Sequence, residues 1–484
     1  MFEYWYASQP APESATLLGR VCDATRAESQ AAAERLVAIG ELFVLRCRDS
    51  GEREDWAADA WQAVAAQVGA ALRCSVGKGL SYLHYAMAMR QRLPQVGKAF
   101  QAGDIDYRSF QTIVFRTDLI TDADALAKVD QRLAVLVSRC SSLTHGRLSA
   151  VVDQVVANAD PDAVRRSADA ASDRFVDVID HDAGMAWVTG NVVGAAGRAF
   201  DRRLEELAAT VCEADPRTLR QRRADAVGAL AAGADRLVCG CKSGECSAAA
   251  PTGASNVVIH VIAEQSSVDG AGIKPGALAG REGLIPADVV AELARTARLQ
   301  PVIRPMDAPE VGYTPSAKLA EFVRCRDLTC RAPGCDRPAE FCDIDHSIPF
   351  GDGGVTHPSN LKCLCRLHHL LKTFWGWRDK QLPDGTVIWD LPGGQTYVTT
   401  PGSALLFPGL CAPTGQLPPV DLATADRCGD KTAMMPLRKT TRAQNRAHYI
   451  GAERKRNRNN RQKHSKTSAF ALHNADADED PPPF

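Results

Sequence analysis

The sequence predicts a mainly α-helical N-terminal domain with a small β element, then a small zinc-stapled module, then a disordered C-terminal tail that is first basic and then acidic. Three observations carry that prediction. Residues from about 13 to 235 are rich in Ala, Leu, Arg and Glu, with apolar positions recurring three and four apart. Cysteine and histidine then gather among turn residues between Cys330 and His369. From about Pro408 onward, Pro, Gly and polar residues prevail.

Composition sets the outer limits. At 484 residues the chain exceeds the length over which one hydrophobic core keeps growing, so two or more domains are expected. An apolar fraction of 45% with 24% charged residues is ordinary for globular protein, and a net charge of -1 selects no class of partner. The average conceals a local excess, because residues 438–466 hold eleven Lys or Arg against one acid, Glu453. No run approaches the roughly 20 apolar residues of a membrane helix, so no membrane partner is expected. The opening MFEYWYASQPAPES lacks a basic patch followed by an apolar stretch, which predicts a cytoplasmic protein. Sixteen cysteines, clustered in a long chain of that kind, point to metal rather than to disulfides.

Each element has its local signal. AAAERLVAIGELFVL and AGRAFDRRLEELAATV show the helical spacing, and Pro94, Gly103 and Pro161 divide the region into helices of ordinary length. Segment 215–234 reads as an Arg-rich amphipathic helix capped by Asp215, its basic face solvated and paired with nearby acids. The stretch 239–255, CGCKSGECSAAAPTGAS, is a linker or insertion. Its thiols Cys239, Cys241 and Cys246 need a fourth ligand, such as Cys212 or His260, to form a metal site. A strand follows at 257–264, a helix opened by Pro286, and a helix at about 315–326. Segment 374–391 alternates like a strand pair closed by Asp384-Gly385. The domains are therefore set at 13–300, 311–391 and 408–484, the last containing a basic arm at 438–466 and an acidic tail at 475–484.

The chemistry concentrates in CRAPGC…DIDHSIPFGDGGVTHPSNLKCLCRLHHLLKT. Cys330 and Cys335 flank a tight turn carrying Pro333 and Gly334, and Cys365 and His368 lie three apart on one helical face. Together they make a Cys₃His tetrahedral set suited to a closed structural zinc site. Cys325, Cys342 and Cys363 are left over. A second constellation comprises Asp345, His346, Asn360 and His369. Phosphodiester hydrolysis needs a base, charge neutralisation and positioning. Neighbours on an extended segment point to opposite sides, so of Asp345 and His346 one can hold a metal while the other handles a proton. His369 points about 100° away from His368 and is free for a second site. Asn360, read as lying at a helix start, can cap it and bond to the intervening loop, where Gly351, Gly353 and Gly354 allow close approach of a phosphate.

This stretch resembles the HNH, or ββα-metal, endonucleases, in the subgroup stapled by zinc. The likeness covers about sixty residues, with a spacing of Asp-His, thirteen residues, Asn, eight residues, His. It implies that His346 is the general base, that Asp345 and His369 bind one Mg²⁺ or Mn²⁺, and that Asn360 orients the base loop. The departure is His368, where most zinc-stapled members have cysteine. ADAVGALA, VVIHVIAE and PGALAGREGLIPADVV resemble the domain of unknown function 222. The whole layout, through CLCRLHHLLKTFWGW and the basic arm, is similar to the mycobacterial 13E12 repeat family, associated with mobile or repeated elements. The resemblance implies DNA as substrate. Beside such a module the basic arm reads as a clamp on the DNA backbone rather than a solubilising tail, with Arg454, Lys455, Arg456, Arg458, Arg461 and Lys463 gaining affinity through counterion release. Two alternatives remain open: a non-catalytic zinc-containing DNA-binding or regulatory remnant, and an RNA nuclease.

Overall fold

The computed structural model describes residues 12–139, 144–165, 174–181, 185–241, 243, 246, 260–278, 284–295, 297–305, 308–415 and 434–475. The chain opens with a long helix, α1 (Pro12–Ser50), followed by α2 (Ala60–Leu72), α3 (Val76–Met87), α4 (Pro94–Ala102), α5 (Tyr107–Thr117), α6 (Ala123–Arg139) and α7 (His145–Ala159). Their apolar stripes meet in a core that fully buries Leu36, Val64, Leu83, Phe100, Phe110, Ile113, Leu133 and Val152, with Phe100 stacked on Phe110 at 4.9 Å. Starts are set by side chains: Asp59, Ser75, Asp106 and Thr144 each accept from the first turn of the helix they precede. Helix α4 begins at Pro94 without such a cap. Asp130 of α6 substitutes, accepting from Gln95 N and Val96 N at 2.9 Å each.

The expectation that residues up to about 235 are all helical is corrected here. An antiparallel hairpin, β1 (Phe175–His181) and β2 (Met185–Asn191), interrupts it. Phe, Trp and β-branched residues make up half of these fourteen positions and favour extended backbone, although Ala/Arg-rich flanks mask the signal. Every residue of β2 is exposed. Next come α8 (Gly194–Ala208) and α9 (Leu219–Ala231). The cap of α9 is Thr218, not Asp215: Thr218 and Gln221 form a reciprocal capping box, whereas Asp215 is taken by Arg217. The basic face is indeed paired, Arg217 with Asp225 and Arg223 with Asp201.

A three-stranded sheet follows, β3 (Val261–Ile262), β4 (Gly276–Leu278) and β5 (Leu284–Ile285), with short α10 (Gln265–Val268) and then α11 (Ala287–Ala294). The strand expected at 257–264 is reduced to β3 among the described residues; 257–259 lie outside them. Helix α12 (Ala317–Asp327) leads into the Cys/His-rich module: β6 (Cys342–His346) paired antiparallel with β7 (Leu361–Cys365), then α13 (Arg366–Phe374). The expected strand pair is β8 (Arg378–Gln381) and β9 (Val387–Asp390), extended by an unanticipated β10 (Thr396–Thr399). The end of α12 anchors the hairpin. Buried Arg326 donates to Pro358 O and Leu361 O, both at 2.7 Å, and buried Asp327 accepts from Cys363 N at 2.8 Å.

Several contacts join the helical unit to this module, among them Arg46, which donates to Pro392 O at 2.7 Å. Trp375 donates to Ala58 O at 2.9 Å and meets Trp56 edge-on, so that Leu36 and Val64 belong to the same buried cluster as Leu361, Leu371, Trp377 and Trp389. Gly334, at φ 71, lies on the α2–α3 turn, where a Cβ would stand 2.9 Å from Cys74 O; no other residue type suits that approach.

The expected disorder of the basic arm is also corrected: residues 442–475 form one long helix, α14 (Arg442–Ala475), while the acidic residues from 476 lie outside the described residues. The segment before it is laced to the α1–α2 loop by Ala57 N to Pro436 O and Arg438 N to Asp55 O, each 2.7 Å. Asp59, fully buried, caps α2 and also receives Arg438 at 2.9 Å and Arg442 at 3.1 Å. Asp59→Ala removes a cap and strands two partly buried guanidinium groups, so a loss of about 3 kcal/mol is expected in urea denaturation. Limited proteolysis should cut the α14 segment sooner in that variant; unchanged stability and cutting would show that Asp59 carries neither load.

Candidate metal centre and hydrolytic site

Cys330 and Cys335 bracket a turn that Gly334 closes, and Cys365 and His368 occupy the start of α13, where strand gives way to helix. The four ligand atoms lie within 4.8 Å of one another. His368 Nδ1 is 3.2 Å from Cys365 Sγ and 3.6 Å from Cys330 Sγ, and the Cys335 and Cys365 sulfurs are 4.0 Å apart. With metal–sulfur bonds of about 2.3 Å and metal–nitrogen bonds of about 2.05 Å, a tetrahedron separates S from S by about 3.8 Å and N from S by about 3.5 Å. The observed spacings match that figure, so this cluster could hold a structural metal ion. The donor set itself is thiolate-rich, as zinc prefers. Burial pushes the Cys330 thiol well up, whereas Cys365, hydrogen-bonded by Cys330 and Cys335, is held far below the usual thiol range. His368 is wholly buried with Nε2 unpartnered against the Trp377 ring. Cys363 stands apart, its sulfur facing Val323 O, and Cys342 donates to Pro338 O.

The second constellation is assembled around the loop between β6 and β7. Asn360 does not cap a helix, since α13 starts only at Arg366; it ends a single 3₁₀ turn before β7. Its side chain clamps the loop instead, accepting from Ile348 N at 2.8 Å and donating to Ile348 O at 3.0 Å and Val355 O at 2.9 Å. His346 pairs through Nε2 with Thr356 Oγ1 at 3.0 Å, and Tyr313 stacks on its ring at 5.2 Å. Burial lowers the His346 pKa, with Asp345 opposing, which favours the neutral imidazole.

Asp345 and His369 are brought together by the fold. His369 Nδ1 lies 2.9 Å from Asp343 Oδ2, and its Nε2 lies 3.5 Å from Asp345 Oδ1. A proton donated from Nδ1 to Asp343 leaves the Nε2 lone pair facing Asp345, the orientation that a carboxylate behind an imidazole imposes on a metal ligand. The other oxygen of Asp345 is engaged. Lys362 and Lys372 both reach it at 2.7 Å, and both also reach Asp379, at 2.7 and 3.0 Å. Lys362 and the Asp379 side chain are wholly buried, and at Asp379 these are charge contacts rather than aligned hydrogen bonds. Burial alone would raise the Asp345 pKa, but Lys362 and Lys372 hold it well below the usual carboxylate range. Sequence reading missed Asp343, Lys362, Lys372 and Asp379. A signal existed for Lys362: it is the only charge in the strand LKCLC and sits directly across the ladder from Asp345.

The basic arm is not a free clamp. Arg454 pairs with Asp160 at 2.6 Å, Arg458 with Asp162 at 3.0 Å, and Arg461 also with Asp162. Arg456 pairs with Glu453 along the helix at 2.6 Å, and Lys455 is exposed. Lys463 lies on α14, with its side chain outside the described set. These arginines fold the helix back onto acids at the end of α7 and just beyond it, a partner that local charge counting does not reveal.

A family model described as "Domain of unknown function (DUF222)" matches residues 23–327. The chain is similar to "Uncharacterized protein Rv2100" of Mycobacterium tuberculosis (strain ATCC 25618 / H37Rv), 45% identical over 489 residues, covering 91% of this chain and 88% of the relative. It is likewise similar to "Uncharacterized protein Rv3776" of the same strain, 44% identical over 470 residues, covering 91% and 90%. "Uncharacterized protein in est 3'region" of Mycobacterium tuberculosis is 39% identical over 337 residues, covering 64% of this chain and 96% of the relative. No solved structure matches. Among the described residues no helix is long and apolar enough to cross a membrane.

Two variants check the site's construction. Cys365→Ser should lower bound metal by one ion per chain in elemental analysis, because it removes the ligand nearest His368 Nδ1; unchanged metal content would reject this cluster. Lys362→Met leaves two buried carboxylates sharing Lys372, and a loss of about 3–5 kcal/mol is expected in chemical denaturation. A loss below about 1 kcal/mol would mean that Lys372 alone neutralises the pair.

Proposed function

This chain belongs to the family of the domain of unknown function DUF222, and since that name assigns no chemistry, we propose its function from the site. The reading is a metal-dependent endonuclease of the HNH type that hydrolyses DNA phosphodiester bonds, in a protein associated with a mobile or repeated element. The observation that carries it is the orientation of His369: backed by Asp343, it faces the one oxygen of Asp345 that the lysines leave available, one residue from His346.

In this reading the Cys330, Cys335, Cys365 and His368 site holds zinc, which keeps β6, β7 and α13 in register. Asp345 and His369 would hold a single Mg²⁺ or Mn²⁺. Octahedral ligands about 2.1 Å from such an ion lie about 3.0 Å apart, so the 3.5 Å separation needs only slight closure. When bound, that ion would neutralise charge on the phosphate and on the departing 3′ oxygen. His346, neutral through burial, accepts the proton of the attacking water, and Thr356 fixes its ring. Asn360 holds the loop that follows His346. Lys362 and Lys372 keep Asp345 ionised and immobile. The products expected are 5′-phosphate and 3′-hydroxyl ends.

DNA contact is supported by Lys455, and by Arg458 and Arg461, whose side chains are 57% and 42% exposed although paired. Such surface pairs are worth only about 0–1 kcal/mol and yield readily to a phosphate backbone. The test is plasmid cleavage by the purified chain with Mg²⁺ or Mn²⁺, with EDTA, and by His346→Ala. Metal-dependent cutting that falls by at least about 10²-fold in the variant, at unchanged zinc content, is expected. Equal cutting by the variant would remove His346 as the base. Binding without cutting in any metal would favour the regulatory alternative, and cleavage of RNA alone would redirect the substrate.

A further inference from the structure

Apart from the Cys330 cluster, a second group of sulfurs converges in the helical half. Cys212 follows α8, and Cys239, Cys241 and Cys246 follow α9; their four sulfurs lie within 4.8 Å of one another, with Cys212 and Cys239 at 3.5 Å. Four thiolates around one tetrahedral ion stand about 3.8 Å apart. We propose that these four cysteines bind a second zinc ion, which staples the α8–α9 pair into a folded unit.

Three observations support the assignment. The first is need. Among the described residues the α8–α9 pair has its own small apolar cluster, Leu204, Leu207 and Ala226 buried with Val227, Ala229 and Leu230 packed against them, separate from the main core. So small a cluster does not hold two helices together unaided, which is where small folds recruit metal. The second is support for the ligand loop. The Asp215 side chain, 1% exposed, accepts from Gly240 N at 2.7 Å, between two of the cysteines, and is held by Arg217 at 2.7 Å. Arg217 also donates to Val238 O at 2.7 Å, and Leu237 N donates to Thr210 Oγ1 at 2.8 Å. These bonds tie the loop after α9 to the turn after α8, so the thiols are positioned by polar contacts lying outside the ligand set. The third is the donor set itself. Sulfur alone, in tetrahedral reach of one centre, selects zinc over the hard ions suited to the Asp345 and His369 pair.

The spacing explains why sequence leaves the site half visible. Cys239, Cys241 and Cys246 are neighbours in the chain, but Cys212 arrives across 27 residues, returned by the helical hairpin. His260, the other possible fourth ligand, is not in the cluster.

The test is metal analysis of the full chain, purified under reducing conditions in the presence of zinc. Two zinc ions per chain are expected, falling to one in Cys239→Ser/Cys241→Ser and to one in Cys365→Ser. Proteolysis of the double variant should open sites between residues 194 and 246 and leave the module from 317 to 399 intact. Should the double variant fail to fold, cobalt substitution of the unmodified chain decides: an all-sulfur spectrum must appear beside that of a three-sulfur, one-nitrogen site. One zinc per chain, lost entirely in Cys365→Ser, would overturn the proposal. So would undiminished zinc in the double variant, or iron with a visible sulfide chromophore. Nuclease activity is not read in this experiment, so its outcome is independent of the catalytic proposal.

Discussion

Opposite charges facing each other across a two-stranded ladder, Asp345 on Lys362, set the geometry of the C-terminal module. Burying Lys362 completely demands more than one acid, and Asp379 at the start of β8 supplies it. Burying two carboxylates then demands a second cation, and Lys372 comes down from α13. The closed network fixes hairpin, helix and following strand relative to each other, because leaving any member unpaired in the interior costs several kcal/mol. Its consequence for chemistry is directional. One oxygen of Asp345 is consumed by the lysines, and the other is left facing His369.

The Cys330, Cys335, Cys365 and His368 cluster works from the opposite side of the same hairpin. It brings a turn that precedes β6 against the residues where β7 becomes α13. That turn also packs on the α2–α3 turn through Gly334, while Trp375 reaches Ala58. The Cys/His cluster, ion network and aromatic contact therefore constrain one small region against the helical unit. Close packing of this kind lets a site hold its spacing to a few tenths of an ångström.

Legibility in the sequence followed the range of the interaction. Helices α1 to α7 obey a spacing written within eleven to eighteen residues, and the caps of α2, α3, α5 and α7 sit beside them in the chain. Paired cysteines with short internal spacing were equally visible. The β1–β2 hairpin was not, because its exposed strands carry no inside–outside contrast for periodicity to register. Helix α14 was not, because a segment so rich in Arg and Asn offers no apolar stripe; its arginines are stabilised by Asp59, Asp118, Asp160 and Asp162, hundreds of residues away.

Sequence alone determined the helical composition, the Cys/His ligand pairs and the candidate Asp-His, Asn and His positions, since each depends on residue type and near-neighbour spacing. Tertiary structure alone decided which groups surround them: Asp343 behind His369, two lysines on Asp345, Thr356 on His346, and Cys212 beside the cysteines after α9. The physical reason is that charge and coordination act over a few ångströms in space. A chain that folds back on itself brings such partners together from positions that no local pattern connects.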